Sequence, residues 1–145
     1  FEIAGVKNVL SGLGIQGIGP IEEEKFVELG EKMDIIIMDA AAVKNIKPLY
    51  AEDKTMFDTC KAWKNGEVYL QMAYNAYYTN YEIALINTWF IAKTVYPEAF
   101  ADVDMTEKTN EVTKMFLGAE LAEAIFACPG SFGGYGRIDT GTFFN

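Results

Sequence analysis

The sequence contains no histidine and only two cysteines. These absences exclude Ser-His-Asp triads, Cys-His dyads, cysteine clusters and most zinc or copper sites, because each needs imidazole or thiolate groups. No run of apolar residues approaches the ~20 that a membrane-spanning helix requires. Basic residues are also few, since 12 Lys and Arg stand against 21 Asp and Glu, for a net charge of −9. We therefore expect no nucleic-acid partner, because binding to phosphates needs clustered positive charge.

The composition is that of a globular domain. Its 145 residues are 50% hydrophobic and 23% charged, which is close to the average for such domains. The chain begins at Phe1 with no charged segment leading into an apolar one, so no signal peptide is visible. We interpret residues 1–145 as a single domain excised from a longer chain. Cys60 and Cys128 are expected to be two buried thiols rather than a disulfide.

Hydrophobic patterning predicts an alternation of strands and helices. The predicted strands are residues 7–10, 34–39 and 67–72. The predicted helices are residues 20–30, 40–50 (broken near Pro48), 54–63, 79–95, 104–118 and 121–127. The glycine-rich tail, residues 130–145, is predicted to be irregular. This order indicates an α/β fold with a small, mostly parallel sheet.

Two predicted helices begin with capping boxes, Thr79-x-x-Glu82 and Asp104-x-x-Glu107. The second box overlaps a partial calcium-loop spacing that starts at Asp102. That spacing lacks the glycine and the further oxygen ligands of a calcium loop, so a helix cap explains it better.

Three segments are expected to form one rim of the sheet, residues 14–20, 39–43 and 73–79. They follow the predicted strands, and ligands of α/β sheets bind outside the carboxyl ends of the strands. The last segment contains three tyrosines in five residues, Tyr74, Tyr77 and Tyr78, with Asn75 between them. Tyrosine offers flat apolar area and a hydroxyl group at little entropic cost. The residues leave two interpretations open, a loop packed on its own domain and a wall of a ligand site.

A glycine motif, Gly12-x-Gly14-x-x-Gly17, lies between the first predicted strand and helix, and Asp39 ends the next strand. This pattern mimics a dinucleotide-binding fingerprint. However, the helix is predicted to start after the motif, and its first turn carries Glu22, Glu23 and Glu24, which would repel a pyrophosphate. A plain connecting loop is the better reading. The three glutamates suit the helix dipole, and the alternative is a docking contact with a basic partner.

The order of several segments resembles the C-terminal lobe of substrate-binding proteins of ABC importers, in the group that serves iron–siderophores, haem and cobalamin. Residues 4–9 resemble the A-G-G-x-N-V that opens the lobe. Residues 24–37 resemble E-x-L followed by N-P-D-V-I-I, although Met33 replaces the usual proline. Residues 61–69 resemble A-V-K-N-G-R-V-Y. Residues 96–100, Y-P-E-A-F, resemble the H/Y-P-E-x-F after the long helix.

The resemblance implies a three-layer α/β/α lobe of the class III periplasmic-binding-protein type, which forms half of a ligand cleft. It implies no enzyme activity and no cofactor. The cleft residues that it implies are Tyr74, Asn75, Tyr77, Tyr78, Ile18, Gly19 and Ala41. Glu24, or its neighbour Glu23, would dock onto a basic residue of the membrane permease. The full-length protein is expected to be an extracytoplasmic monomer, in the periplasm or lipid-anchored at the cell surface.

The expected ligand is an iron(III)–siderophore, with haem and cobalamin as the other members of the group; no protein residue is expected to bind the metal directly. Anionic siderophores usually require arginine, and Arg137 is the only one in the chain. Either the other lobe supplies cations, or the ligand is neutral or is held through tyrosines. Two other functions stay open. One is a nucleotide-binding enzyme domain built on the glycine motif. The other is an acidic interaction module without a small ligand, in which Tyr74 and Tyr78 would be buried.

Overall fold

The computed structural model describes residues 5–14 and 21–144 of the chain. The fold is mixed α/β. In chain order its elements are α1 (Glu23–Gly30), β1 (Ile36–Asp39), a 3₁₀ turn η1 (Ala40–Ala42), α2 (Val43–Glu52), α3 (Lys54–Asp58), α4 (Lys61–Lys64), β2 (Val68–Gln71), α5 (Tyr81–Val95), α6 (Met105–Leu117), α7 (Ala122–Phe126), a 3₁₀ turn η2 (Pro129–Ser131), β3 (Gly136–Arg137) and α8 (Thr140–Phe143). Every helix within the described residues is too short or too polar to span a lipid bilayer.

The three strands form one sheet in the order β1-β2-β3. The N–H of Ile36, the first residue of β1, donates to the carbonyl of Glu67, just before β2, at 2.9 Å. These two strands therefore start at the same end and run parallel. The N–H of Ile138, just after β3, donates to the carbonyl of Val68, the first residue of β2, at 2.9 Å. β3 therefore runs antiparallel to β2, and the sheet is mixed.

The prediction of a mostly parallel sheet is wrong for β3. That strand lies in the tail that was predicted to be irregular, and it has only two residues. The Arg137 side chain explains why so short a segment pairs. Its Nε donates to the Gly66 carbonyl at 2.5 Å and its Nη2 donates to the Asn65 carbonyl at 3.0 Å. Nη2 also lies 3.0 Å from a carboxylate oxygen of Glu67. These contacts hold the tail on the turn before β2.

The described residues form two compact units. The first comprises the described residues up to Ile36, then Val43–Tyr69 and the residues from Arg137 on. Its core is an aromatic cluster in which Trp63 lies 4.6 Å from Phe57 and 5.3 Å from Phe144 between ring centroids. Tyr50 contacts all three rings. Burial of such large apolar side chains stabilises a domain by roughly 1.5–3 kcal/mol each.

The second unit comprises Ile37–Ala42 and Leu70–Gly136. Its core lies between the end of β2, α5 and α6, where Met72, Ile83, Ile86 and Val112 are buried together. The side chains of Met105, Ile125, Phe126 and Tyr135 pack against this cluster. The long helix α5 is largely buried, because only Tyr81 and Leu85 of its residues are exposed. The helix ends before Pro97, as predicted.

The first predicted strand, residues 7–10, is absent. The backbone turns there instead, with the Ser11 N–H donating to the Asn8 carbonyl at 3.1 Å. The Asn8 side chain accepts a second bond from the Leu10 N–H at 3.0 Å. This local side-chain bond gives the backbone an alternative to strand pairing. The short apolar pattern of Val9 and Leu10 is therefore not a strand.

Three helix predictions need correction. The predicted helix 54–63 is two helices, because Cys60 is extended between α3 and α4. Gly30 approaches closely at that point, and a Cβ on it would lie 3.1 Å from the Cys60 Cα. Pro48 lies inside α2 without breaking it. The N-cap of α5 is Asn80, which accepts from the Ile83 N–H at 2.9 Å, rather than Thr79.

The second capping box is confirmed, since Asp104 accepts from the N–H groups of Thr106 and Glu107 at 2.8 and 2.9 Å. Both cysteines are free thiols. Cys60 is fully buried, and its Sγ lies 3.9 Å from the Met33 Sδ. Cys128 is exposed, so the expectation of two buried thiols is right for Cys60 only.

Candidate functional site

The carboxyl ends of the two parallel strands place two polar side chains next to each other. Since the Ile36 N–H bonds to the Glu67 carbonyl, Ile36 is paired with Val68 in the parallel register, and Asp39 is paired with Gln71. Paired residues on adjacent strands point to the same face of a sheet. Asp39 and Gln71 are therefore neighbours on one face, at the edge where ligands of parallel sheets bind.

Asp39 is a half-buried carboxylate that accepts a backbone hydrogen bond. The Ala41 N–H, in the turn that follows β1, donates to its Oδ1 at 2.8 Å. Burial raises the pKa of the Asp39 carboxyl above its ordinary value, and the bond from Ala41 opposes that shift only in part. A carboxylate that is desolvated without a cation beside it is typical of a functional edge rather than of a stabilising ion pair.

Gln71 carries the single buried side-chain oxygen or nitrogen that finds no hydrogen-bond partner among the described residues. Its Oε1 is sealed from solvent next to Asp39 in the strand register. Buried polar atoms are nearly always hydrogen-bonded, because an unpaired one costs about 1–3 kcal/mol. Gln71 therefore adds an unpaired acceptor beside Asp39 among the described residues.

The aromatic loop leaves the same edge directly after β2. Asn75 and Thr79 form an isolated antiparallel bridge, and the Asn80 N–H donates to the Tyr74 carbonyl at 2.7 Å. The loop is thus closed at its base by backbone bonds. Tyr77 and Tyr78 lie at its tip and are 98% and 89% exposed.

Two more tyrosines flank the tip, Tyr74 at 36% and Tyr81 at 74% exposure. This exposure opposes the reading in which the loop packs on its own domain. It also opposes the interaction module that required Tyr74 and Tyr78 to be buried. Four exposed phenol rings within eight residues form an apolar surface with polar tips.

A buried polar network anchors the start of the loop. Asn87, which is 3% exposed on α5, donates through Nδ2 to the Met72 carbonyl at 2.8 Å. Its Oδ1 accepts from the Tyr135 hydroxyl at 2.8 Å. Burial raises the pKa of the Tyr135 hydroxyl far above its ordinary value, so the hydroxyl stays a donor. The network fixes Met72 two residues before Tyr74, and it therefore positions the loop.

The structure describes only some of the other predicted cleft residues. Ala41 is exposed in the η1 turn beside Asp39, and Asn75 is exposed in the loop. The η1 turn packs near η2. Ile18 and Gly19 lie outside the described residues.

The glycine motif lacks the context of a dinucleotide site. No strand precedes it within residues 5–14, and the first helix among the described residues begins at Glu23. Gly14 is exposed with a positive φ of 67° and has no neighbour close to its missing Cβ. The described part of the motif is a turn on the surface.

The predicted docking glutamates belong to the first unit. Glu23 and Glu24 form the first turn of α1 and are exposed, and Glu22 is the N-cap without a side-chain capping bond. Neither Glu23 nor Glu24 forms an ion pair with a described residue, whereas Glu28 pairs with Lys25 at 2.6 Å. The two carboxylates are therefore accessible to a partner.

Sequence reasoning missed Gln71, Asn87 and Tyr135. Gln71 ends a predicted strand, and the strand register that places it beside Asp39 follows from pairing, which no local pattern reveals. Asn87 lies among apolar residues of a helix, where a lone amide can indicate a buried hydrogen bond. Tyr135 lies in the tail that was predicted to be irregular.

Within residues 5–14 and 21–144, no three His, Cys, Asp or Glu side chains lie together in a way that could hold a metal ion. Comparison with models of protein families gives no match for this chain, and comparison with curated proteins gives none either.

Proposed function

We propose that the chain is the C-terminal lobe of the substrate-binding component of an ABC importer, and that it takes up an iron(III)–siderophore or a related metal chelate. The observation that carries the proposal is the tyrosine loop. At its tip, the side chains of Tyr77 and Tyr78 are almost fully exposed. Exposed aromatic clusters of this kind commonly mark binding surfaces. The loop starts at the carboxyl edge of a parallel strand pair, where ligands of α/β folds bind.

The ordered sequence resemblance supports the same function. Of the segments that resemble the family, residues 24–37 fall on α1 and β1, residues 61–69 on α4 and the start of β2, and residues 96–100 follow α5. Residues 5–9 lie outside helices and strands. The small α/β fold is compatible with such a lobe, and a three-layer arrangement of class III type is part of the proposal. The lobe would supply half of a cleft, with the tyrosine loop as one wall and a second lobe as the other.

The remaining parts of the proposal follow from that role. A binding component performs no chemistry, so we propose a non-enzymatic protein that works outside the cytoplasm as a monomer. Glu24, with Glu23 beside it, would dock onto a basic residue of the permease, because both carboxylates are exposed at the start of α1. The permease and the chelate would be its two partners.

The experiment is a nuclear magnetic resonance titration of the chain with a ferric trihydroxamate, a neutral or cationic iron chelate. Paramagnetic iron broadens the signals of nearby protons, and the method detects weak binding by one lobe alone. The expected result is selective broadening at residues 74–81 and at Asp39 and Ala41. The iron-free chelator is the control for effects of the organic part.

Two variants locate the site. Tyr77→Ala together with Tyr78→Ala is expected to abolish the broadening. Met115→Ala, which removes a 67% exposed apolar side chain on α6, is the matched control and should leave it unchanged. Uniform broadening across the surface, or broadening centred on α6, would overturn the proposed site.

The two alternatives receive less support. A nucleotide-binding enzyme domain needs a strand before the glycine motif, and the described residues there form turns. An acidic module without a small ligand needs a rim filled by its own side chains, and Tyr78 is exposed instead.

A further inference from the structure

We propose that the edge formed by Asp39, Gln71 and the tyrosine loop selects metal chelates of zero or positive net charge and discriminates against anionic ones. The inference rests on the proposed function and adds to it the charge class of the ligand. It comes from three features of the second unit. They are the hydrogen-bond acceptors on β1 and β2, the exposed tyrosine rings, and the ion pairs and hydrogen bonds that its lysines already make.

The acceptors lie side by side on the two parallel strands. Among the described residues, Asp39 accepts one backbone hydrogen bond, from the Ala41 N–H at 2.8 Å, and carboxylate oxygens can accept several. Gln71 Oε1 is buried without a partner among the described residues. A ligand that contacts Asp39 must bring hydrogen-bond donors or positive charge. An anionic ligand would place further acceptors against the carboxylate.

The half-buried state of Asp39 favours a cationic ligand. Burial raises the pKa of its carboxyl because the charged form loses water without gaining an opposite charge from the described part of the chain. A positive group on the ligand would supply that charge.

The exposed tyrosines also favour a cationic ligand. The face of an aromatic ring carries negative potential and attracts cations within about 6 Å of the ring centroid. Tyr77 and Tyr78 present both faces to solvent, at 98% and 89% exposure. Phenol rings also pack on apolar ligand surfaces whatever the ligand charge, so the loop is compatible with neutral chelates as well.

The lysines of this unit have partners other than Asp39 and Gln71. Ile37–Ala42 and Leu70–Gly136 contain nine acidic side chains and three basic ones, all lysines. Lys93 donates to the Phe100 carbonyl at 3.1 Å. Lys114 pairs with Glu120 at 2.8 Å. Lys108 pairs with Glu111 and lies over the Trp89 ring.

The single arginine of the chain also has hydrogen-bond partners. Arg137 belongs to the first unit and holds the carbonyls of Asn65 and Gly66. Recognition of anionic groups relies on arginine forks or clustered lysines. The described residues of the second unit contain no arginine, and their three lysines have the partners given above.

The test uses one chelate in three charge states. Ferrioxamine B is a ferric trihydroxamate with a pendant protonated amine; its N-acetyl derivative is neutral and its N-succinyl derivative is anionic. Gallium(III) replaces iron, so that chemical shifts can be followed without paramagnetic broadening. The expected dissociation constants rise from the cation to the anion, by about five- to tenfold for each unit of charge near a half-buried carboxylate. High salt should reduce the spread.

Asp39→Asn tests the role of the Asp39 carboxylate. In this variant the dissociation constants of the cationic and anionic derivatives are expected to differ by only about twofold. Glu98→Gln makes the same charge change beyond the other end of α5, about 20 Å from the loop by helix length, and should keep the spread. Equal or tighter binding of the anionic derivative would overturn the charge inference while leaving the proposed function intact. No shift with any of the three would overturn the proposed function and this inference with it.

Discussion

The network of Asn87, Tyr135 and Met72 provides the sharpest prediction about what positions the tyrosine loop. Tyr135→Phe removes a hydroxyl that donates to Asn87 Oδ1 at 2.8 Å and leaves a buried amide oxygen unpaired. The expected loss in free energy of unfolding is about 1–3 kcal/mol. Asn87→Leu removes both bonds of a side chain that is 3% exposed, and it leaves the Met72 carbonyl and the Tyr135 hydroxyl unpaired. Its expected cost is about 2–6 kcal/mol.

The double variant separates a network from two independent sites. With both partners apolar, the Tyr135 hydroxyl is no longer left unpaired, so the double variant should cost less than the two single costs combined by about 1–3 kcal/mol. Urea denaturation followed by circular dichroism gives the three values. Tyr77→Phe is the control, because it removes a hydroxyl from a side chain that is 98% exposed and should change stability by less than about 0.5 kcal/mol. Additive costs, or a Tyr135→Phe variant as stable as wild type, would refute the network.

Three further predictions concern the backbone, alkaline pH and docking. Gly134→Ala should lower the free energy of unfolding by about 2 kcal/mol or more, because φ is +102° and a Cβ would lie 2.8 Å from the Phe126 ring. Gly118→Ala, where φ is +77° and the space is open, should lower it by only about 1 kcal/mol. Urea denaturation measures both values. Since burial raises the pKa of the Tyr135 hydroxyl above its ordinary value, the unfolded state loses that proton first. Stability should therefore fall above about pH 10 by up to ~1.4 kcal/mol per pH unit in wild type, but less steeply in Tyr135→Phe. Glu24→Arg should reduce chelate uptake in cells that carry the permease while leaving chelate affinity unchanged; a loss of affinity would contradict the docking role.

The helices of the second unit could be predicted from sequence because their signals are local. The Asp104 cap and the Gly118 stop bound α6 as expected, and the apolar run before Pro97 defines α5. The elements that were predicted wrongly depend on contacts between residues that are distant in the chain. The extended break at Cys60 accompanies the close approach of Gly30, and β3 accompanies the contacts of Arg137 with the turn before β2.

The position of the candidate site could be predicted from the sequence, but its exposure and its hydrogen bonds could not. The aromatic density of residues 74–78 singles out the loop, and strand order places it at the carboxyl edge. Exposure of Tyr77 and Tyr78 could not be read from sequence, because the same residues would suit a packed loop. The pairing of Asp39 with Gln71 required the parallel register, and the anchoring of the loop required the bond between Asn87 and Tyr135, whose positions lie far apart in the chain.

The most direct test of the central claim is an equilibrium titration of the chain with a ferric trihydroxamate, haem and cobalamin, followed by tyrosine and tryptophan fluorescence. The account predicts saturable quenching by a metal chelate, with the ferric trihydroxamate as the expected ligand, and loss of that quenching in the variant with Tyr77→Ala and Tyr78→Ala. Quenching that persists unchanged in this variant, or no saturable quenching by any of the three, would contradict it.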